Sequence, residues 1–377
     1  MVKRELAFFL KQKTKQVKFV DRTFNCNRSH ALQIWQFLQE NDNGITNFHF
    51  EVAGDILSEE ELQILNRMRP GLVQLEIGVQ STNPQTLKAI DRVTDMDRLW
   101  ENVKRIQAGG NVHVHLDLIA GLPFENYKSF GNSFDEVYEV GPNQLQLGFL
   151  KVLKGSKMHQ EAEAHGICYQ DKPPYEVLYS NWLSFEDILR LKRVEEMVEL
   201  YYNSNQFTHT LAFLEQAFTS PFEMYEKLAD FYCEKGYTFA SSSRNYRYQI
   251  LLDFALAQDS GYKEVYRQLL TFDAYLRENL KSRPDFAKDL TPYKPAARSF
   301  YLEEEKTRTY LPAYETYDAK QLSRMTHLEP FDYPVYDIEQ IKIIRTVGKS
   351  EQTEFILFDY MERSPLTYEA RICKIEI

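Results

Sequence analysis

A chain of 377 residues exceeds one average domain, and a composition of 43% hydrophobic and 27% charged residues with few glycines and prolines is that of a folded protein with room for two or three modest cores. The formal charge of -10 makes the average surface repel phosphates, and no basic patch offsets it, so nucleic acid is disfavoured and is not the expected partner. Met1-Val-Lys-Arg-Glu-Leu-Ala-Phe-Phe-Leu places charge inside its first turn, and no segment approaches a membrane span; neither signal peptide nor membrane anchor is expected, and the expected location is cytoplasmic. Cys26, Cys168, Cys233 and Cys373 are too scattered for a local ligand motif or a disulfide scaffold and read as separate reduced thiols.

Five apolar, β-branched runs end at or near Asp21, Glu51, Gln80, Asp117 and Phe149, at intervals of about 30 residues, the length that strand, loop and helix together require. Helical segments fall between and after them: Ala31 to Glu40, Ser58 to Met68, Asn83 to Ile90, Arg98 to Ala108 and Tyr127 to Val140. Ser58 and Glu61 have capping-box spacing, and Gly109-Gly110 stops a helix before Asn111. The fold class expected is therefore α/β, an incomplete TIM-type βα barrel with five parallel strands. Period-two alternation places Glu76, Gly78 and Gln80 on one strand face and His113, His115 and Asp117 on another. Asp21, Glu51, Gln80 and Asp117 put a polar side chain at four successive strand ends, the rim where barrel enzymes assemble their sites. The alternative for each is a loop or helix cap. His113 and His115 alternate on their strand, but no third ligand stands at a telling spacing, so hydrogen bonding is favoured over a metal.

Leu75-Glu76-Ile77-Gly78-Val79-Gln80-Ser81 and Leu116-Asp117-Leu118-Ile119-Ala120-Gly121-Leu122-Pro123, preceded by Phe50-Glu51-Val52, resemble in order and spacing the strands of radical S-adenosylmethionine (radical SAM) enzymes. The branch that includes the oxygen-independent coproporphyrinogen oxidases is especially similar. Gln144 to Met158 resembles the family's last barrel strand and its exit, so the resemblance covers about Val2 to Cys168. It implies that Glu51 pairs with the methionyl ammonium and Arg92 with the methionyl carboxylate, which the guanidinium fork suits. It further implies that Gln80 and Asp117 bond the ribose hydroxyls, that Gly78 permits close approach of backbone or ligand, and that Gly121 with Pro123 fixes the turn behind the adenine. Arg92 as a solvated helix-end cation near Asp91 and Asp95, and Gly78 as a packing accommodation, are the alternatives.

The family's C-x-x-x-C-x-x-C loop, which binds a [4Fe-4S] cluster, is absent from this chain and would lie upstream of Met1. The expectation is a C-terminal portion of a longer enzyme, inactive alone. The longer form would hold the cluster, draw electrons from a flavodoxin or ferredoxin, and act on an unknown small molecule or peptide. Asp21-Arg22-Thr23-Phe24-Asn25 resembles radical SAM proteins with a cobalamin-binding domain, which makes cobalamin a further cofactor of that longer form.

Domains are expected at 1–172, the partial barrel, at 173–288, all helical, and at 289–377, a C-terminal extension with a small sheet. Pro173-Pro174 marks the change to helical periodicity, with helix starts at Ser184 and Ser220-Pro221 and a helix from Lys263 to Lys281. Pro292 to Pro295 reads as a linker. Ile341 to Val347 and Thr353 to Tyr360 read as a hairpin, with Tyr368 to Ile375 as a third strand. Two other readings stand beside the enzyme: a non-catalytic scaffold that inherited the barrel, and an aldolase-like complete barrel, which would need eight strands and a catalytic lysine.

Overall fold

The structure is a computed structural model that describes residues 1–237 and 244–376. Two compact units are present, Met1–Asn203 with Pro221–Ala229, and Ser204–Ser220 with Asp230–Ile377.

The first unit opens α1 (Val2–Lys11), β1 (Gln16–Lys18), α2 (Arg28–Glu40), β2 (Asn47–Glu51), α3 (Glu59–Leu65) and β3 (Val73–Gln80). It continues with α4 (Pro84–Ala89), α5 (Met96–Ala108), β4 (His113–Ala120), α6 (Tyr127–Glu139) and β5 (Gln144–Phe149). Strands β1 to β5 lie in chain order and every neighbouring pair is parallel, which is the expected five-stranded partial βα barrel.

Alternation decides which face each side chain takes. Phe48 and Phe50 of β2, Leu75 and Ile77 of β3, Val114, Leu116 and Leu118 of β4, and Leu145 and Leu147 of β5 are all buried. The helices supply matching apolar stripes, Ala31, Ile34, Trp35 and Leu38 on α2, Leu99, Val103 and Ile106 on α5, and Phe130, Phe134 and Val137 on α6. Phe50 anchors one end, with the rings of Phe19 and Phe24 each centred 4.5 Å from its own. Each of the larger aliphatic and phenylalanine side chains contributes about 1.5–3 kcal/mol by leaving water. The intervening strand residues take the opposite, concave face and are polar apart from Gly78, Ile119 and Gly148.

Local signals end the elements where expected. The Ser58–Glu61 capping box forms, and α5 stops at Ala108 before Gly110 at φ +63°. Two strand limits differ from expectation. Strand β1 ends at Lys18, leaving Asp21 exposed beyond it, and β4 runs on to Ala120, so Asp117 stands within the strand rather than at its end. Position 21 is replaced in the rim by Asn25, whose amide clamps Ala53 through Nδ2 to the carbonyl at 2.9 Å and Oδ1 from the N–H at 3.0 Å. After β5 come α7 (Lys157–Glu161), the antiparallel pair β6 (Cys168–Tyr169) and β7 (Val177–Tyr179), and α8 (Phe185–Met197). Pro173-Pro174 lies inside the β6–β7 connection.

The second unit holds α9 (Thr208–Leu214), the end of α10 (Pro221–Lys235), α11 (Arg244–Gln258), α12 (Lys263–Arg277), α13 (Lys294–Thr307) and α14 (Ala319–Met325). It closes with β8 (Thr326–Phe331), α15 (Ile338–Val347), β9 (Glu354–Arg363) and β10 (Ala370–Ile375), the strands forming an antiparallel sheet in the order β10-β9-β8. Asp273 of α12 serves as the cap of α9, accepting from the N–H of His209 at 3.1 Å and of Thr210 at 2.9 Å.

Two expectations are corrected here. The segment Ile341 to Val347 is helical, because Asp337 caps it and Ile341 and Ile344 fall three apart on one buried face, a helix period that overrides their β-branching. The strand that pairs with β9 on its other side is β8, whose His327, Glu329 and Pro330 hid it. Likewise Pro292 to Pro295 is no linker: Pro295 occupies the first turn of α13, where a missing N–H costs nothing.

Gly121 ends β4 at φ +93°, and a Cβ there would lie 2.6 Å from Cγ1 of Val177. Gly121→Ala should therefore destabilise the protein by about 2 kcal/mol or more, through backbone strain and overpacking together. In denaturant melts, a double-mutant cycle with Val177→Ala should show favourable coupling, since the clash disappears with the valine methyl; additive losses would contradict that cause.

Candidate functional site

Register brings the concave residues into one layer. Lys18 pairs with His49, Glu51 with Glu76, Glu76 with His115, Gly78 with Asp117, and Asp117 with Gln146. Glu76 accepts a hydrogen bond from Lys18 Nζ at 2.9 Å, and His49 Nε2 approaches the same Oε2 at 2.8 Å. His115 Nε2 stands 3.0 Å from Asp117 Oδ1, outside the alignment of an N–H···O bond, so both atoms keep their hydrogen-bonding capacity unused.

A bulge between Gly78 and Gln80 shifts the β3–β4 register, and Gln80 takes φ +72°. The backbone turn folds the Gln80 amide back across Gly78, where its Nε2 fills the space a Cβ would need. Gly78 thus makes room for Gln80. The Arg92 guanidinium donates to the Gly78 carbonyl and lies in the field of Asp55, Glu51 and Asp117. Its neighbours in sequence are engaged elsewhere, Asp91 with Lys157 at 2.5 Å and Asp95 as the cap of α5, accepting from Arg98 N at 3.1 Å. Arg92 is therefore a half-buried cation of this face and not a solvated helix end.

Glu51, Gly78, Gln80, Arg92 and Asp117 are brought together. Gly121 is not part of that cluster; its backbone turn rests on Val177. Three polar atoms of the cluster are buried with no hydrogen-bond partner among the described residues: Gln80 Oε1, Arg92 Nε and Asp117 Oδ1.

Burial dominates the electrostatics. It raises the Glu51 carboxyl above its ordinary range, with repulsion from Glu76 and Asp117 added and Lys18 and Arg92 opposing. Asp117 is raised as well, by burial against the pull of His115. Burial also pushes Glu76 up, but the hydrogen bond and charge of Lys18, with His115 and His49, outweigh it and hold Glu76 below its usual value. His49 is lowered by burial and by Lys18, and His113 is lowered to about 4, chiefly by burial. Among the described residues no group of three or more His, Cys, Asp or Glu is arranged to hold a metal ion, and all four cysteines are free.

Lys18 and His49 escaped the sequence reading, although counting back by two from Glu51 reaches His49. A second miss is Glu125, fully buried after the Gly121-Leu122-Pro123 turn, whose Oε1 accepts from Ser81 Oγ at 2.6 Å and Ser133 Oγ at 2.9 Å.

Residues 1–137 match the radical SAM superfamily model, so the half-barrel is a radical SAM fold. The model described as "Protein of unknown function (DUF4080)" matches residues 163–358, more than half of the chain, and the protein belongs to that family. Two curated relatives resemble the first unit. The oxygen-independent coproporphyrinogen-III oxidase-like protein HemZ of Bacillus subtilis (strain 168) is 28% identical over 118 residues, 31% of this chain and 23% of HemZ. The oxygen-independent coproporphyrinogen III oxidase of Salmonella typhimurium is 27% identical over 127 residues, 32% of this chain and 26% of the relative. The chain thus spans about a quarter of the length of these relatives. Among solved structures, coproporphyrinogen III oxidase (HemN) from Escherichia coli is similar over 51% of this chain and 44% of its own, with a TM-score of 0.36 and 19% identity. The radical S-adenosylmethionine methyltransferase TsrM from Kitasatospora setae is similar over 46% of this chain and 35% of its own, with a TM-score of 0.39 and 14% identity. Among the described residues no helix is long and apolar enough to cross a membrane.

The histidine shift has a consequence for stability. With His113 at about 4 in the fold and near 6.5 unfolded, the unfolded chain binds more protons between those values. Its contribution, about 3 kcal/mol, is complete above pH 6.5 and lost as pH falls toward 4. Denaturant melts of His113→Gln at pH 4.5 and 7 should show a smaller acid loss than the parent; an equal loss would assign the acid sensitivity elsewhere.

Proposed function

We propose that the concave face of the first unit binds S-adenosylmethionine through its own side chains. The observation that carries this is the set of three buried polar atoms that lack an aligned hydrogen bond among the described residues, Gln80 Oε1, Arg92 Nε and Asp117 Oδ1, gathered with Glu51 on one face. Leaving a buried polar group unsatisfied costs about 1–3 kcal/mol, so a set of them marks places where a ligand completes the bonding.

Each residue has a part that its chemistry fits. Glu51 is a carboxylate pushed up by burial and by like charges, so it gains from a cation, and it takes the methionyl ammonium. Arg92 takes the methionyl carboxylate with its fork. Gln80 and Asp117 accept from the ribose hydroxyls, Gly78 gives the Gln80 amide its place, and Gly121 sets the turn behind the adenine. Three strand carboxylates, Glu51, Glu76 and Asp117, face two cations, Lys18 and Arg92. The excess negative charge favours a ligand whose ammonium and sulfonium outweigh its carboxylate.

Bound S-adenosylmethionine supplies an activated sulfonium, the starting point of radical chemistry in the superfamily. The described residues offer no thiolate set that fits a [4Fe-4S] cluster, so its reduction is not a task of these side chains.

Isothermal calorimetry with S-adenosylhomocysteine should show binding to the parent protein. Asp117→Ala and Arg92→Lys should each bind at least about tenfold more weakly, the loss of one charge-assisted hydrogen bond. S-adenosylmethionine should bind more tightly than S-adenosylhomocysteine, because only the former carries the sulfonium charge. Affinities indistinguishable from the parent would remove the substituted residue from the site.

A further inference from the structure

Glu125 is not part of the proposed site, yet it is the most completely enclosed carboxylate beside it, at 0% exposure. Its Oε1 holds two hydroxyls from two different elements, Ser81 from the loop after β3 and Ser133 from α6. The same hydroxyls carry the loop further: Ser81 Oγ accepts from Asn83 N at 3.0 Å, and Ser133 Oγ accepts from Thr82 N at 3.1 Å. Asn83 Nδ2 in turn donates to the Phe124 carbonyl at 3.0 Å. The three residues that follow Gln80 are therefore stitched to the turn after β4 and to α6, with the Glu125 carboxyl group holding both serines of the stitch. The stitch matters because Gln80 sits at φ +72°, a conformation that a glutamine holds only when its surroundings impose it.

We propose that Glu125 is a positioning residue for the ligand-binding wall: by fixing Ser81 it holds Gln80 in the bulged conformation that aims its amide across Gly78. The inference rests on the reading of that wall as an S-adenosylmethionine site.

The second carboxyl oxygen gives the device a direction with pH. Oε2 is buried and has no hydrogen-bond partner among the described residues. Oε1 accepts from both serines in either form, but ionisation leaves charge buried on an oxygen that has no donor among the described residues, a cost that opening the loop to water relieves. Burial accordingly pushes the group up to about 7, against the two serine hydroxyls, and no charged side chain enters that balance. The stitched loop belongs to the protonated form and loosens as pH rises through neutrality.

Calorimetry with S-adenosylhomocysteine at pH 6 and pH 8, on the parent, Glu125→Gln and Ser81→Ala, tests this. The parent should lose about tenfold in affinity over that interval, the linkage due to one proton. Glu125→Gln, a neutral isostere that still accepts from both serines, should match the parent at pH 6 and lack the tenfold part of its loss that Glu125 causes by pH 8. Ser81→Ala should bind more weakly than the parent at pH 6 and no more weakly than the parent at pH 8. Any titration of Glu51 and Asp117 is common to the parent and Glu125→Gln and cancels between them. A Glu125→Gln protein that retains the parent's pH slope overturns the proposal. Hydrogen exchange of the Ser81–Asn83 amides, corrected for intrinsic rate, gives a readout free of ligand: it should quicken from pH 6 to pH 8 in the parent only. Equal protection in both proteins at both values also overturns the proposal. If the parent binds no S-adenosylhomocysteine at either pH, the reading of the wall fails, and the exchange data alone decide whether Glu125 holds the loop.

Discussion

A parallel sheet with helices against one face leaves its other face to every second residue of each strand, and the first unit depends on what that face must accommodate. Glu51, Glu76 and Asp117 stand within the concave layer, partly withdrawn from water, with Lys18 and Arg92 as the cations among them. Desolvation penalises the charged form of each carboxyl, and mutual repulsion adds to it. Glu76 is relieved by a direct bond from Lys18; Glu51 and Asp117 are not relieved to the same degree, and both remain raised.

The backbone irregularities around this layer follow from the need to crowd polar groups onto it. The bulge at Gly78 breaks the β3–β4 ladder for one residue, re-aims Gln80 and exposes a carbonyl that Arg92 then occupies. The positive φ of Gln80 is strain stored beside the site, held by the serine and glutamate contacts of the loop that follows. On the next strand, Gly121 releases the chain into a turn only because no side chain competes with Val177.

Much of the first unit is written in the sequence because periodicity and capping agree there. The β-branched runs, the Ser58–Glu61 box and the glycine pair after Ala108 fix strands and helices to within a few residues. What was not legible had specific causes. Asp21 looked like a strand end because Val17, Phe19 and Val20 extend the apolar run, but the ladder stops at Lys18 and the buried amide of Asn25 does the joining. The C-terminal segment misled in both directions, since β-branched Ile341, Ile343 and Ile344 form a helix and the polar, proline-containing Thr326–Phe331 forms a strand. Glu125 carried no motif of its own; its place is set by two serines that lie 44 residues before it and 8 after it.

The most direct measurement of the central claim is a crystal structure of the protein with S-adenosylhomocysteine. Density for the ligand on the concave face, with its methionyl end between Glu51 and Arg92 and its ribose hydroxyls on Gln80 and Asp117, is the predicted result. Ligand density elsewhere, with Gln80 Oε1, Arg92 Nε and Asp117 Oδ1 satisfied by water alone, would contradict it.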